Sequence, residues 1–189
     1  VTNNGNDHSS GGIIVYYSHN NDFIMNQVEL SCAMGYCLSS FSENNSFIDD
    51  TVSNNGQDGI GILGRSNNNS FYSCDVIDNF ANGFYVNSVN DTNITSCSIL
   101  NNGVGFGGFG IALRNCSSSE VAYNTLEDNP WGCIDDDQPS LNNVHDNTCD
   151  DDGGGEPNND VPGYHSILIL LVTFGIVVVI VKRRQRIVN

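Results

Sequence analysis

The sequence predicts an all-β fold, a right-handed parallel β-helix solenoid, followed by a C-terminal transmembrane α-helix. Three observations support this prediction. Apolar residues recur about every 24 residues before position 150, Gly and Asn punctuate each repeat, and residues 164–181 contain no Asp, Glu, Lys or Arg. A fixed period between roughly 20 and 50 residues is the signature of units that pack on their neighbours. We therefore divide the chain into repeats at 1–149, a linker at 150–163, a membrane span at 164–181 and a tail at 182–189.

The repeats are defined by two apolar columns. The first has spacings of 24, 24, 23, 27 and 23 residues, and it consists of Phe23, Phe47, Phe71, Ile94, Val121 and Val144. The second lies five residues later in every row, at Val28, Val52, Val76, Ile99, Leu126 and Cys149. Short alternating runs follow Gly35, Gly59 and Gly83, and alternation of this kind indicates strands with one buried face. One row buries too little by itself, so we expect the rows to stack at roughly 4.8 Å with equal columns in contact.

A polar column follows the first apolar column at a distance of three residues. Its members are Asn26, Asp50, Cys74, Cys97, Asn124 and Asn147. Stacked Asn side chains can pair their amides from row to row, so this column predicts a ladder inside the solenoid. The 27-residue row contains the extra stretch GVGFGGFG at 103–110, which we expect to bulge outward as a loop.

Three segments carry a resemblance to a known family. They are NNSFIDDTVSNNGQDGIGIL from Asn44, NNSFYSCDVIDNFANGFYV from Asn68 and SEVAYNTLEDN from Ser119. They resemble parallel β-helix repeat proteins of the pectate-lyase-like superfamily, especially the NosD-like and archaeal surface versions, over residues 10 to 150. The resemblance implies the fold. It does not select a function, because this superfamily includes lyases, hydrolases, epimerases, adhesins and structural proteins.

The charges are sharply divided along the chain. All 22 acidic residues precede His165, and the only Lys or Arg residues before that position are Arg65 and Arg114. Nucleic-acid binding needs clustered Lys and Arg, so this distribution argues against it. Cations are the more natural partners of the repeats.

The C-terminal region predicts a membrane anchor. Residues 164–181 would span about 27 Å as a helix, close to the hydrocarbon thickness of a bilayer. The basic tail KRRQR at 182–186 predicts a cytoplasmic C-terminus with the repeats outside, as in a single-pass cell-surface protein. The alternative is a buried core helix. The acidic linker at 150–163 is rich in Gly and Pro, and Pro162, Gly163 and Tyr164 resemble the processing signals of archaeal surface proteins, which normally have Phe in the third position.

Two kinds of covalent modification are predicted. Sequons for glycosylation begin at Asn44, Asn68, Asn90, Asn93 and Asn115, although an Asn-rich ladder also produces such triplets. Cys74 and Cys97 share a column in adjacent rows, so a disulfide between them is possible by Cα separation. The alternative, which we favour, is that both are small buried residues, because Cys is commonly buried. The chain begins at Val1 without a signal sequence, so we expect further sequence upstream.

Acidic residues supply the candidates for metal binding and catalysis. Hard oxygen ligands for Ca²⁺, the one cofactor we consider, occur at Asp135, Asp136, Asp137, Asp150, Asp151 and Asp152. The alternative is a solvated acidic cap. Paired carboxylates of a glycoside hydrolase could come from Asp49, Asp50, Asp75 and Asp78, although Asp is also a routine turn residue.

Three functional hypotheses remain. We favour a membrane-anchored extracellular rod with a structural, adhesive or carbohydrate-binding role, whose partner is a polysaccharide or a surface layer. The second is a polysaccharide lyase or glycoside hydrolase of the pectate-lyase-like superfamily. The third, which rests on the resemblance alone, is a NosD-like accessory factor for metal-cofactor loading. The sequence leans against an enzyme, because it has no Lys and only two Arg in the repeats.

Overall fold

A computed structural model of the chain describes residues 11–105 and 107–150, and all the regular elements in these residues are β-strands. In chain order they are β1 Ile13–Tyr16, β2 Asp22–Ile24, β3 Gln27–Glu29, β4 Tyr36–Ser39, β5 Ser46–Ile48, β6 Thr51–Ser53, β7 Ile60–Leu63, β8 Ser70–Tyr72, β9 Asp75–Ile77, β10 Phe84–Asn87, β11 Asn93–Thr95, β12 Ser98–Leu100, β13 Phe109–Arg114, β14 Glu120–Ala122, β15 Thr125–Glu127, β16 Gly132–Asp136, β17 Asn143–His145 and β18 Thr148–Cys149.

The strands form three parallel sheets of six strands each. Sheet I has the order β1-β4-β7-β10-β13-β16, sheet II β2-β5-β8-β11-β14-β17, and sheet III β3-β6-β9-β12-β15-β18. Each strand therefore pairs with the strand three places along the chain, and three consecutive strands make one rung. Rung 1 is β1 to β3 and rung 6 is β16 to β18. The predicted parallel solenoid is confirmed for the described residues.

Both predicted apolar columns are confirmed by the strand register. Phe23 pairs with Phe47 and Phe47 with Phe71 in sheet II, and Val28 pairs with Val52 in sheet III. The Phe23 and Phe47 rings are stacked with centroids 4.6 Å apart, and the Phe47 and Phe71 rings with centroids 4.5 Å apart. Stacking at the rung spacing explains why Phe recurs at one position in three successive rows.

Sheet I supplies the third side of the core and follows the predicted alternating runs. Tyr36 pairs with Ile60 and Phe84 with Ile111, so the longer row re-enters register after its insertion. A Cβ on Gly35 would lie only 2.4 Å from Val52 Cγ1, which explains why Gly precedes the strand. At the corners the backbone adopts the left-handed conformation with positive φ. Many of these corner residues are not Gly, for example Asn54 and Asp78 with φ of 55° and 56°.

Ladders of polar side chains run through the interior, and two of them lie before and after the strands of sheet III. In the predicted ladder, Asn147 Oδ1 accepts from both the backbone N–H and Nδ2 of Asn124, at 3.0 and 2.9 Å. A second buried ladder was not predicted, and it consists of Ser31, Asn55, Asn79, Asn102 and Asn129. In both ladders an Asn amide also donates to a strand carbonyl of the previous rung, as Asn79 does to Val52. The second ladder escaped prediction because its Asn residues look like turn residues.

The cysteines differ from the predicted disulfide. Cys74 and Cys97 are free thiols buried in the ladder column, and Cys97 Sγ donates to Thr95 O at 3.4 Å. The thiols take the place of ladder side chains, which agrees with the favoured alternative of small buried residues. The structure instead joins Cys133 of β16 to Cys149 of β18, with Cα atoms 6.1 Å apart, and thus links sheets I and III within rung 6.

The predicted linker from 151 onward, the membrane span, the basic tail and the Pro162–Gly163 signal lie outside the described residues. Residues 11–105 and 107–150 include no helix of the length and hydrophobicity that crossing a membrane requires. The anchor stays a prediction from the sequence.

Candidate functional site

The outward side of sheet I is the broadest surface of the repeats, because strands of four to six residues form it whereas those of sheets II and III have at most three. Side chains alternate along each strand of sheet I, so the neighbour of each core residue points outward. We call the resulting surface the sheet I outer face and define it by Ile14, Tyr16, Cys37, Ser39, Leu63, Tyr85, Asn87, Arg114 and Asp135. Gly61 and Ala112 occupy the same outward register but are buried, and the Met34 side chain lies against Gly61. It combines aromatic, amide and charged groups.

One end of this face carries an aromatic and charged group that we call the Trp131 cluster. It consists of Phe109, Arg114, Trp131 and Asp135. The Trp131 and Phe109 rings meet edge to face with centroids 5.7 Å apart, and Arg114 Cζ lies 6.0 Å from the Phe109 ring centre. Arg114 forms an ion pair with Asp135 and also donates to the Asp135 carbonyl at 3.2 Å. Trp131 remains 42% exposed, so one side of the cluster is open to solvent.

The glycine-rich insertion supports this cluster. A Cβ on Gly107 would lie 2.2 Å from Trp131 Nε1, and a Cβ on Gly105 would lie 2.1 Å from Phe80 Cε2. Only a chain without side chains at these two positions can lie so close to the two rings. The Trp131 backbone N–H donates to Gly108 O at 3.1 Å, which ties the insertion to the start of β16. The sequence predicted a loop over 103–110, whereas Phe109 and Gly110 already belong to β13, and the contact with Trp131 was not predicted.

The other end of the face carries the Phe41 cluster, which consists of Tyr16, Tyr17, Phe41 and Arg65. Tyr17 stacks on Phe41 with centroids 6.1 Å apart, and Arg65 Cζ lies 5.9 Å from the Phe41 centre. Tyr16 and Tyr17 are each 59% exposed. Between the two clusters, Asn87 Nδ2 donates to Tyr85 Oη at 3.0 Å. The face therefore has planar groups at both ends and polar groups between them.

The predicted hydrolase carboxylates do not come together. Asp50 is buried, and it accepts from Tyr36 Oη at 3.1 Å and from the Asn26 N–H at 2.7 Å. Burial and then the neighbouring Asp50 raise the pKa of Tyr36 far above its usual value. Asp49 and Asp75 are exposed, in the corner before β6 and at the start of β9, and Asp78 accepts from Asn101 at the corner after β9. An interior carboxylate and three surface ones on other sides of the solenoid do not face one sugar bond.

The predicted Ca²⁺ ligands are already engaged. Asp136 accepts from Asn142 Nδ2 at 3.1 Å, and Asp137 accepts from the Asn115 N–H at 2.8 Å. Asp150 accepts from the Asp128 N–H at 2.7 Å beside sheet III, away from Asp135 in sheet I. Asp151 and Asp152 lie outside the described residues. Within the described ranges, no three or more His, Cys, Asp or Glu residues are grouped to hold a metal ion. The Ca²⁺ site stays a prediction.

All five sequon asparagines are exposed: Asn44, Asn68, Asn90, Asn93 and Asn115. The expected exposure of Asn44 and Asn68 in one turn column is confirmed, and the Asn68 amide donates to Asn44 Oδ1. Thr92 of the third sequon is buried. Whether any of the five carries a glycan stays a prediction.

The structure also brings together a histidine and two carboxylates that the sequence left scattered. His145 Nε2 lies 2.9 Å from Glu120 Oε1, and His145 Nδ1 lies 2.9 Å from Asp146 Oδ2. Hydrogen bonds that His145 donates to Asp146 and Glu120 raise the pKa of His145, and the bond from His145 lowers the pKa of Glu120. This group lies on the outer side of sheet II. It links β14 to β17 and belongs to a different surface from the sheet I outer face.

The chain belongs to the family described as the right handed beta helix region, whose profile matches residues 1–149. This match confirms the predicted handedness. Among solved structures, the fold is similar to the periplasmic alginate epimerase AlgG, with a TM-score of 0.58 and 17% identity over 73% of this chain and 39% of that chain. A single-substitution variant of that enzyme gives a TM-score of 0.58 and 18% identity over 73% and 38%. No curated protein matches by sequence.

At these identities the likeness to AlgG shows the fold alone. The chain spans about two fifths of the length of that enzyme. The residues of the sheet I outer face are therefore interpreted from their own geometry.

Proposed function

We propose that this protein is a membrane-anchored extracellular rod that binds polysaccharide on the sheet I outer face. The observation that carries the proposal is the Trp131 cluster. An exposed indole is held in place by Phe109 and by the glycine insertion, and it stands beside the polar groups of Arg114 and Asp135. Apolar ring faces cover the C–H side of a sugar, and a few placed polar groups orient its hydroxyls.

The length of the face suits a polymer better than a single sugar. The Phe41 cluster belongs to rungs 1 to 3 and the Trp131 cluster to rungs 5 and 6. The Phe41 ring in rung 2 and the Phe109 ring in rung 5 are three rung spacings of roughly 4.8 Å apart, or about 14 Å. A ligand that contacts both ends must therefore extend over several sugar units, with the Tyr85–Asn87 pair beneath its middle.

The predicted anchor at 164–181 supports the location. A rod held outside the cell by a single span and a basic tail meets polysaccharide as part of its surroundings. The linker at 150–163 would separate the repeats from the membrane surface.

A polysaccharide lyase or hydrolase is the second candidate. The fold likeness to an alginate epimerase favours it, together with a paired cation and carboxylate, Arg114 and Asp135, on the same face. A positioned base within reach of a sugar is required in addition. Depolymerisation of any uronate polymer by the full chain would establish this candidate and overturn a purely binding role. The accessory role in metal-cofactor loading stays a prediction from the resemblance.

The test of the binding proposal is a glycan array followed by affinity electrophoresis in immobilised polysaccharides, with the full chain in a non-ionic detergent. We expect Trp131→Ala to weaken binding about tenfold, because it removes the exposed indole surface whose burial by a sugar contributes on the order of 1–2 kcal/mol. The matched control is Tyr72→Ala, which removes a similarly exposed ring from the outer side of sheet II. Equal losses for the two variants, or no binding to any glycan, would contradict the proposal.

A further inference from the structure

We infer that the sheet I outer face selects polysaccharides that carry free amino groups, such as hexosamine polymers, and rejects uronate polymers. This inference rests on the proposed function, because it concerns the ligand of the same face. The selected polymers would be basic, whereas the alginate in the name of the structurally similar epimerase is an acidic polymer. The selectivity arises from the charges that the face presents to the ligand.

The face has almost no free positive charge to offer a uronate. The described residues contain seventeen Asp and Glu but no Lys and only two Arg. Arg114 is already paired with Asp135, and it also donates to the Leu113 and Asp135 carbonyls at 3.1 and 3.2 Å. A uronate carboxylate at the Trp131 cluster would have to displace Asp135 from Arg114. Arg65, which lies over Phe41, is the one guanidinium in the described part of the chain without a carboxylate partner.

Negative charge also borders the face. The turns that follow the sheet I strands carry Glu43, Asp91 and Asp137, and Asp135 lies on the face itself. The spacing between rungs is roughly 4.8 Å and the Debye length is about 10 Å at 0.1 M salt, so a bound polymer meets several of these carboxylates at once. An acidic polymer is repelled by this arrangement unless cations bridge it. A polymer of ammonium groups is attracted, and its arrival is accelerated.

The two requirements fit one ligand class. The aromatic clusters need a sugar ring with an apolar side, and the carboxylates need a cation attached to that ring. A hexosamine polymer provides both in each unit. Its N-acetylated form has the same ring and linkage without the charge, so the pair of ligands isolates the electrostatic contribution.

The experiment compares a glucosamine hexamer, its N-acetylated form and an oligogalacturonate of similar length, with the full chain in detergent at mildly acidic pH and with a chelator present. We expect the glucosamine hexamer to bind more tightly than the acetylated one by up to about fivefold for each amine that meets a carboxylate. The difference should shrink as salt is raised, because exposed charges are screened.

Asp135→Asn tests the local part of the inference. It removes a carboxylate and releases Arg114, so it should weaken hexosamine binding and strengthen oligogalacturonate binding. The matched control, Asp75→Asn, makes the same change of charge on the outer side of sheet III and should alter neither preference.

The failures of the two proposals are distinguishable. Equal or tighter binding of the acetylated hexamer, lost in Trp131→Ala, would overturn the selectivity and leave the polysaccharide site in place. Tight oligogalacturonate binding in the chelator would do the same. The absence of binding to all three ligands would overturn both.

Discussion

At the scale of single residues, the interior is organised by hydrogen bonds as well as by apolar packing. A third column of polar side chains includes Asn45, Asn69, Thr92, Ser119 and Asn142. In it, Asn69 Oδ1 accepts from the backbone N–H and from Nδ2 of Asn45, at 2.9 and 3.1 Å. Thr92 interrupts the pattern. Its Oγ1 is buried without a hydrogen-bond partner, the one such side-chain atom in the described part of the chain. A buried polar atom left unpaired costs about 1–3 kcal/mol.

Replacing Thr92 should therefore stabilise the fold. We expect Thr92→Val, which keeps the shape and removes the hydroxyl, to raise the free energy of unfolding by about 1 kcal/mol. Thr92→Asn should raise it further, because its carbonyl oxygen and amide can continue the column between Asn69 and Ser119. The measurement is denaturant unfolding of protein from a host without N-glycosylation, since Thr92 completes a sequon.

Thr95→Val is the matched control for this pair. Thr95 points outward from sheet II and is only half-buried, so its replacement should change stability little. A lower stability of Thr92→Val than of Thr95→Val would show that the Thr92 hydroxyl is satisfied in solution.

At the scale of strands and turns, the sequence determines those elements whose residues recur in every rung. Phe47 and Val52 could be placed in sheets II and III because their columns repeat without exception. The Cys133–Cys149 bond could not be found in this way, because Cys133 belongs to the last described strand of sheet I and Cys149 replaces an apolar residue. The contact between the glycine-rich insertion and Trp131 was also missed, since it depends on how the insertion folds back across a neighbouring rung.

Rung 6 is held by an electrostatic link as well. The side chains of β17 and β18 are mostly exposed, so packing contributes less there than in the central rungs. His145 of β17 can donate to Glu120 of β14 and to Asp146 at the same time only when both ring nitrogens carry protons. Both hydrogen bonds therefore form together only in the imidazolium form, in which His145 is also an ion-pair partner of Glu120 across rungs 5 and 6.

The pH dependence of this link follows from the two shifted pKa values. The pKa of His145 is raised above its usual 6.5, so its contribution is complete below that pH and is lost as the pH rises through the raised value. The pKa of Glu120 is lowered from 4.5, so its contribution is present above 4.5 and is lost as the pH falls through the lowered value. We expect the protection of the β17 and β18 amides, corrected for the intrinsic pH dependence of hydrogen exchange, to be highest between the lowered pKa of Glu120 and the raised pKa of His145 and to fall on the alkaline side.

Glu120→Gln tests this prediction, with NMR titration of the His145 ring as the measurement. We expect the variant to bring the pKa of His145 closer to its usual value and to weaken the pH dependence of exchange in rung 6. The His19 ring, which accepts the Glu43 N–H at 3.3 Å in another part of the chain, supplies a resonance that the substitution should leave unchanged. An unshifted His145 titration in the variant would contradict the link.

At the scale of the whole solenoid, the residues that determine the fold differ from those that we propose to bind the ligand. Inward positions repeat and could be predicted, whereas the sheet I outer face does not repeat, so Trp131 and Arg114 became visible only when strands from different rungs were placed side by side. The predicted aspartates illustrate the same limit. Asp49 and Asp50 are adjacent in sequence, yet one is exposed and the other lies in the core ladder, because successive residues of a strand or its corner point to opposite sides.

This separation predicts that a whole rung can be removed. Deleting residues 51–74 joins Asp50 to Asp75, which occupies the register position of Thr51, and thereby places Val28 below Val76 and Phe47 below Ile94. Every column continues with one member fewer. Since repeat stability is approximately a sum over neighbouring units, we expect a folded five-rung protein with a modestly lower melting temperature.

Deleting only residues 51–62 shifts the columns by half a rung and should abolish cooperative unfolding. Circular dichroism melts distinguish the two outcomes. The 51–74 deletion removes Arg65 but keeps the Trp131 cluster, so it should retain most of the polysaccharide binding that Trp131→Ala weakens. Unfolding of both deletions alike would show that the rungs are not interchangeable.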